Sequence, residues 1–143
     1  MKRRTFLKGT MATGMVGVAV SAGLLTPQAV LAAWPESSFN AKSVDDAVNA
    51  LMGSANHSPS GDIKIKAPDI AENGAVVPIT ISTKLSNVEA IAVLVEKNPQ
   101  PLACSFDFDK SAEGFVSTRI KMGKTSDIVA VVKSGGKLFS SNK

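Results

Sequence analysis

Two different spacings of apolar residues divide this chain. Between Val44 and Met52 the apolar residues recur every three or four positions, which is the period of an amphipathic α-helix. From Asp62 onward apolar and polar residues mostly alternate one by one, as they do in half-buried β-strands. The pattern therefore predicts one short helix followed by a domain made of strands.

The predicted helix has clear candidates for both of its ends. Ser43 can act as the N-cap, and Asp46 at the third helical position can close a capping box while placing negative charge near the positive end of the helix dipole. Gly53 suits the C-terminal stop. The polar stretch 54–61 is predicted to be a linker. The apolar face of the helix consists of Val44, Ala47, Val48, Leu51 and Met52.

Several short apolar segments follow the linker, and turn residues separate them. One of them, 88–97, is apolar on both faces and is predicted to be a central strand, either wholly core or partly an interface. A series of strands without helical patterns between them predicts an all-β fold, an immunoglobulin-like antiparallel β-sandwich preceded by the N-terminal amphipathic helix. The remaining segments are 63–67, 77–82, 102–109, 115–122, 127–133 and 137–141.

The stretch 69–83 joins a polar turn directly to a run of β-branched residues. Asn73 and Gly74 are predicted to supply the positive φ of a tight hairpin turn. Pro78 has no N–H to donate, so it is predicted to lie on an edge strand or at a bulge. The turn is interpreted as scaffold, and a contact between residues 69–74 and a partner is the alternative.

The first 32 residues have the composition of a targeting segment. A basic start, a weakly apolar Gly/Ala/Val stretch and a small-residue end describe a secretory signal peptide, and Arg3-Arg4 matches the twin-arginine export type. Cleavage is predicted after Ala32, with Val30 as the other small residue of the site. A transmembrane anchor is the alternative. The predicted organisation is a signal peptide at 1–32, a helix and linker at 33–61 and a sandwich at 62–143, in a periplasmic protein.

The formal charge of +4 changes meaning once the signal peptide is set aside. Lys2, Arg3, Arg4 and Lys8 account for four of the 16 basic residues, which leaves 12 against 12 acidic residues. A neutral mature protein has no overall attraction to nucleic acid or to an anionic membrane. Both are therefore excluded as predicted partners.

The reactive side chains are too few for a metal site. The chain holds one Cys, one His and no Tyr, so a zinc site of His and Cys ligands is excluded, and a blue-copper site lacks its second His. No metal and no cofactor is predicted.

Catalytic residues are also missing. Cys104 alternates onto the apolar side of its strand with Phe106 and Phe108, where a thiol has a raised pKa and reacts slowly. It is nevertheless the one candidate reactive thiol, and a triad with His57 and an Asp is the alternative. Asp107 and Asp109 are interpreted as charges on a strand edge, and 135–136 as a hairpin turn. The chain is predicted to be a binding or carrier module and not an enzyme.

The order of these features resembles the SoxY family of sulfur carriers. The stretch "PDIAENGAVVPI" and the later "NPQP" turn are its most specific parts. The other matching stretches are "RRTFLK", "VDDAVNALMG", "IKIK", "VEAIAVLVEK", "PLACSFDF", "STRIKM" and "DIVAVVKSGGKLF".

The resemblance implies a specific function and a specific set of partners. SoxY proteins are immunoglobulin-type sandwiches that pair with a second β-sandwich protein, SoxZ. They hold intermediates of thiosulfate oxidation covalently on a cysteine in a C-terminal Gly-Gly-Cys-Gly-Gly arm. The partners that the resemblance implies are SoxZ, a c-type cytochrome that joins thiosulfate to the thiol, a hydrolase that releases sulfate, and a sulfane dehydrogenase.

The sequence departs from the family pattern at its end. It finishes "KLFSSNK" at Lys143, without the glycine-flanked cysteine. Two explanations stay open: the carrier cysteine is expected beyond Lys143 after an incomplete last strand, or the protein is a thiol-less relative that acts only as a docking partner. Cys104 does not match the position of the family's carrier cysteine, so no residue within 1–143 is assigned that role.

Overall fold

The computed structural model describes residues 34–143, so the predictions for the signal peptide, Arg3, Arg4 and cleavage at Ala32 lie outside the described residues. Two helices and eight strands are found in this range. No helix within it is long and apolar enough to cross a membrane. The elements are α1 (Glu36–Asn40), α2 (Val44–Met52), β1 (Ser58–Pro59), β2 (Ile63–Lys66), β3 (Val77–Thr83), β4 (Val88–Val95), β5 (Leu102–Asp107), β6 (Phe115–Ile120), β7 (Ile128–Ser134) and β8 (Lys137–Asn142).

The strands form two sheets that pack face to face. The larger sheet has the order β1-β8-β7-β4-β5 and the smaller one the order β2-β3-β6. All neighbouring strands are antiparallel except β1 and β8. The prediction of an immunoglobulin-like sandwich with a short N-terminal helix is confirmed. The core between the sheets is built from Ile63, Val77, Ile79, Ile81, Val88, Ile91, Val93, Val95, Val116, Ile120, Ile128, Ala130 and Val132.

A second apolar layer lies on the other face of the larger sheet. There Ala47 and Val48 of α2 pack with Ala92 and Leu94 of β4, and all four are fully buried. Strand β4 therefore contributes alternate side chains to two cores. This answers the question left open for 88–97, because within the described chain β4 is buried on both faces.

Helix α2 begins and ends where the sequence predicts. The Ser43 hydroxyl accepts a hydrogen bond of 3.1 Å from the backbone N–H of Asp46. Gly53 has φ 81°, and its N–H donates to the carbonyl of Asn49 at 2.9 Å. Helix α1 was not predicted, since a helix of five residues is too short to show a period.

The turn between β7 and β8 also follows the prediction. Gly135 and Gly136 have φ values of 54° and 76°, and the flanking residues Ser134 and Lys137 pair with each other. Positive φ at two successive positions is the geometry of a tight hairpin turn, which glycine adopts without steric strain.

The prediction that 54–61 is only a linker is wrong. Ser58 and Pro59 form β1, which pairs in parallel with Phe139 and Ser140 of β8. The N–H of Ser60 continues the pairing by donating to the carbonyl of Ser140 at 2.9 Å. A strand of two exposed residues shows no alternation of apolar and polar positions, so the pattern could not reveal it.

Strand β8 is paired along its length. Its residues from Lys137 to Asn142 all have partners in β7, and β1 covers part of its other edge. Beyond β8, Lys143 and Ile128 exchange two backbone hydrogen bonds of 2.8 and 3.0 Å.

Pro78 is not on an edge strand, because β3 is the middle strand of its sheet. It pairs with Arg119 on one side, while on the other side β2 ends at Lys66, opposite Thr80. The N–H of Thr83 donates toward β6, and the N–H groups of successive residues in a strand point to alternate sides. The nitrogen of Pro78, five residues earlier, therefore points to the other side, where β2 no longer pairs with β3. Proline is tolerated there because the donor it lacks would have no partner.

The predicted positive φ at Asn73-Gly74 is also absent, since neither residue is among those with left-handed backbone in residues 34–143. The turn is closed instead by the Asn73 side chain, whose Oδ1 accepts from the N–H of Ala75 at 2.9 Å. Gly74 is required for space. A Cβ at this position would lie 2.7 Å from the carbonyl oxygen of Met122.

A register shift in β5 corrects the predicted alternation of 102–109. Cys104 pairs with Val93, but Leu102 pairs with the next residue, Leu94, so Ala103 is extra. A bulge of one residue changes the face on which the following side chains lie. Leu102 consequently packs in the helix-side core, and Cys104 packs against the core between the sheets.

Candidate functional site

Cys104 lies on β5, the edge strand of the larger sheet. Its side chain is half-buried and packs with Phe106 and Phe108 against the core between the sheets. Burial raises the pKa of the Cys104 thiol from 9.0 to about 11. Because the thiolate is the nucleophilic form, this thiol is almost entirely unreactive at neutral pH.

The structure does not bring a general base to Cys104. His57 is next to β1, at the opposite edge of the same sheet, where its Nδ1 lies 2.9 Å from the Ser140 hydroxyl. The candidate triad of Cys104, His57 and an Asp is therefore not formed. The hydrogen bond between His57 and Ser140 instead links the segment at β1 to β8.

The carboxylates in the described range do not gather into a cluster of metal ligands. No group of three or more His, Cys, Asp or Glu residues comes together within 34–143. Asp107 and Asp109 are both exposed at the end of β5, and Asp109 Oδ1 accepts from the N–H of Lys110 at 2.6 Å. Their positions fit the interpretation as charges on a strand edge.

A polar groove runs between the start of α2 and the β1–β8 pair. Its volume is about 760 Å³. The hydrogen-bonded pair His57 and Ser140 lies on one side, and Glu96 and Asp127 contribute carboxylates. No pattern in the sequence indicates this groove, because the groove depends on the pairing of β1 with β8.

A second cavity lies where β8 ends. Its volume is about 630 Å³, and its lining comes mainly from the segments 67–71 and 122–126, with Lys143 at one side. Lys143 Nζ is 3.2 Å from Asp69 Oδ1, and Ile70 is 88% exposed. The turn that the sequence interprets as scaffold thus also forms one wall of this cavity.

The geometry of Lys143 makes the end of β8 the candidate functional site. Two backbone hydrogen bonds to Ile128 fix the position of Lys143 at the end of a paired strand. A peptide that continued from this residue would start at a rigid point beside the 630 Å³ cavity. The described residues thus supply a scaffold with a fixed strand end beside a cavity.

Residues 48–143 match the family model of the sulfur oxidation protein SoxY. No curated protein matches the chain. Among solved structures, the sulfur carrier protein SoxY from Chlorobium limicola f thiosulfatophilum is 40% identical, with a TM-score of 0.66, over 78% of this chain and 96% of that one.

A second solved structure resembles this chain in its fold alone. A superoxide reductase (neelaredoxin) from Ignicoccus hospitalis is 17% identical with a TM-score of 0.50, over 57% of this chain and 76% of that one. The family model spans every strand from β1 to β8, and the first solved structure covers more than three quarters of the chain. The chain belongs to the SoxY family of sulfur oxidation proteins.

Proposed function

We propose that this protein is the sulfur-carrier subunit of a periplasmic thiosulfate-oxidising complex. It holds the intermediates covalently on a cysteine in a glycine-rich arm that follows Lys143. The observation that carries the proposal is membership of the SoxY family over residues 48–143, together with 40% identity to a sulfur carrier protein.

The environment of Cys104 supports a carrier thiol outside residues 1–143. A thiol that must visit several enzymes has to reach into their active sites, and Cys104 is half-buried in the wall of the sandwich. Its pKa of about 11 also leaves little thiolate at neutral pH. Cys104 is therefore assigned a packing role.

The fixed end of β8 supports an arm that starts at Lys143. Glycines around a thiol make a flexible linker, and a short flexible linker on a rigid base gives a high effective concentration at a docked partner. The two hydrogen bonds between Lys143 and Ile128 provide that rigid base.

The chemistry divides between the carrier and its partners. The thiol loses its proton and thiosulfate adds to the sulfur, while the electrons released pass to the c-type cytochrome. Water then cleaves the terminal group as sulfate with the hydrolase, and the dehydrogenase oxidises the sulfur that stays on the cysteine. The carrier contributes the nucleophile and the tether, and a SoxZ-like sandwich completes the heterodimer.

The intact mass of the native protein tests this function. The protein is purified from cells grown with and without thiosulfate, and each sample is measured before and after reduction. We expect a mass larger than that of residues 33–143, with adducts that reductant removes and that increase with thiosulfate. A mass equal to that of residues 33–143 without adducts would contradict the carrier role and favour a docking sandwich without a carrier thiol.

A further inference from the structure

The outer face of the smaller sheet carries positive charge without compensating acids. Lys64 and Lys66 of β2 and Arg119 of β6 are exposed on this face, which we call the basic face. Neither β2, β3 nor β6 contains an Asp or a Glu. Its acidic neighbours, such as Asp62 and Glu113, belong to loops at one end of the sheet.

The strand register places the three cations on the same side. Lys64 is opposite Ser82, Lys66 is opposite Thr80, and Pro78 is opposite Arg119. Since paired residues in an antiparallel sheet share a face and alternate residues lie on the same side, all three cations project from one surface. The intervening residues Ile79 and Ile81 are buried in the core on the other side.

The three cations are spread over the basic face. Strands are about 4.8 Å apart and residues along one strand about 3.4 Å apart, so the backbone positions of Lys64 and Lys66 are separated by about 7 Å, and Arg119 is about 12 Å from Lys66. The two lysines are within the Debye length of about 8 Å at physiological salt, so their potentials add, and Arg119 provides a separate contact point on the same surface. The ion pairs found within residues 34–143 join Lys133 to Glu89 and Lys143 to Asp69, and neither involves the basic face.

The rest of the basic face has the composition of a protein interface. Phe115 is 57% exposed there and is opposite Ser82, and the hydroxyls of Thr80 and Ser117 lie 3.3 Å apart between the cations. Exposed aromatic and arginine side chains are enriched where proteins bind each other. A sheet surface with an aromatic residue, hydroxyls and uncompensated cations complements a partner surface rich in carboxylates.

The number of cations decides between classes of acidic partner. Specific binding to nucleic acid engages about six to ten phosphates, and electrostatic binding to an anionic membrane uses clusters of about four to eight basic residues. Three cations on a chain that is neutral from residue 33 onward fall short of both. They are sufficient to orient and steer one acidic protein surface.

We propose that the basic face is a docking surface for a protein that presents clustered carboxylates. Arg119 and the two lysines pair with those carboxylates, and Phe115 supplies apolar contact beside them. The proposal does not depend on the carrier function, and it would stand even if the mass measurement showed no sulfur adduct.

Binding of poly-L-glutamate to the full-length protein tests the proposal. The face variant carries Lys64→Thr, Lys66→Thr and Arg119→Thr, since threonine keeps β propensity and removes the charge. The matched control carries Lys97→Thr, Lys110→Thr and Lys137→Thr, three exposed lysines outside the smaller sheet. Both variants lose the same charge and keep the basic N-terminal residues, so their difference reports the basic face alone.

We expect the face variant to bind at least about tenfold more weakly than the control variant, and the binding of the wild type to weaken as NaCl rises from about 20 to about 200 mM. In NMR titrations the largest amide shifts should fall on β2, β3 and β6. Equal weakening in both variants, or shifts centred on another surface, would overturn the proposal. Tighter binding to duplex DNA or to phosphatidylglycerol vesicles than to poly-L-glutamate would overturn it as well.

Discussion

The backbone N–H of Met122 donates a hydrogen bond of 2.7 Å to the carbonyl of Gly74. This bond holds the turn before β3 against the segment that follows β6, and it continues the pairing of these strands beyond Val77 and Ile120. The approach is so close that the α-carbon of Gly74 has no room for a side chain facing Met122. The turn is thus fixed by contact with a distant part of the chain.

Replacing Gly74 with Ala should therefore destabilise the protein. The new Cβ would lie 2.7 Å from the Met122 carbonyl oxygen, so the backbone must shift and strain or break the hydrogen bond. We expect the free energy of unfolding to fall by about 1–3 kcal/mol in a urea titration.

Gly61→Ala is the matched control for this substitution. Gly61 is exposed, and a Cβ there meets no atom within 4 Å. Its stability should change by less than about 0.5 kcal/mol or increase slightly, because alanine reduces the entropy of the unfolded chain. Equal losses in the two variants would show that space near Met122 is not the cause.

The half-buried thiol of Cys104 gives the protein a defined dependence of stability on pH. The pKa of Cys104 is raised from 9.0 to about 11, so the unfolded chain loses this proton first as the pH rises. The contribution of Cys104 to stability is fully present below about pH 9 and is lost as the pH approaches 11. The Cys104→Ala variant should lack this alkaline decline in urea titrations at several pH values, and an identical decline in that variant would contradict the assignment.

The same pKa predicts the reactivity of Cys104. Alkylation by iodoacetamide, followed by peptide mass spectrometry, should be slow at pH 7 and rise about tenfold per pH unit up to about pH 10. Reaction should be fast at neutral pH once the protein is unfolded in guanidinium. Fast alkylation of the folded protein at pH 7 would mean that the thiol is accessible and ionised.

Leu94→Ala should weaken the attachment of the helix layer to the larger sheet. Leu94 is fully buried against Ala47 and Val48, and truncation of a buried leucine costs about 2–5 kcal/mol. Leu51→Ala, at a half-buried position of α2, should cost clearly less. Thermal unfolding of the two variants would measure both losses of stability. Equal losses would contradict the prediction that the fully buried leucine contributes more than the half-buried one.

Ser43→Ala should remove the N-cap of α2. The Ser43 hydroxyl accepts the N–H of Asp46, which has no partner within the helix, so its loss should cost about 1 kcal/mol. Ser111→Ala, on an exposed turn, is the control and should be close to neutral. A loss of stability in the Ser111 variant equal to that in the Ser43 variant would indicate a general effect of removing a hydroxyl.

The sequence predicts those elements that show a pattern of apolar residues or of glycines over several positions. The 3.6-residue spacing in 44–52 marks α2 because that helix buries one face, and the glycines at 135–136 mark a hairpin because few other residues adopt positive φ at two successive positions. The sandwich follows from the alternation that each strand needs to bury one side. These are local requirements, so local sequence expresses them.

The features that the sequence does not predict depend on long-range contacts. Strand β1 exists because β8 is beside it, and the bulge at Ala103 depends on how β5 pairs with β4. The cavity beside Lys143 depends on the meeting of 67–71 with 122–126. Nothing within any of these segments encodes the distant partner, so patterning could not reveal either cavity.

Strand β4 has a consequence for how the protein opens. Ile91 and Val93 belong to the core between the sheets, while Ala92 and Leu94 belong to the core under α2. Neither core can come apart without disturbing this strand, so the helix layer and the sandwich are coupled into one cooperative unit. The amide protons of β4 should therefore exchange with deuterium only when the whole molecule unfolds, which makes them a direct readout of global stability.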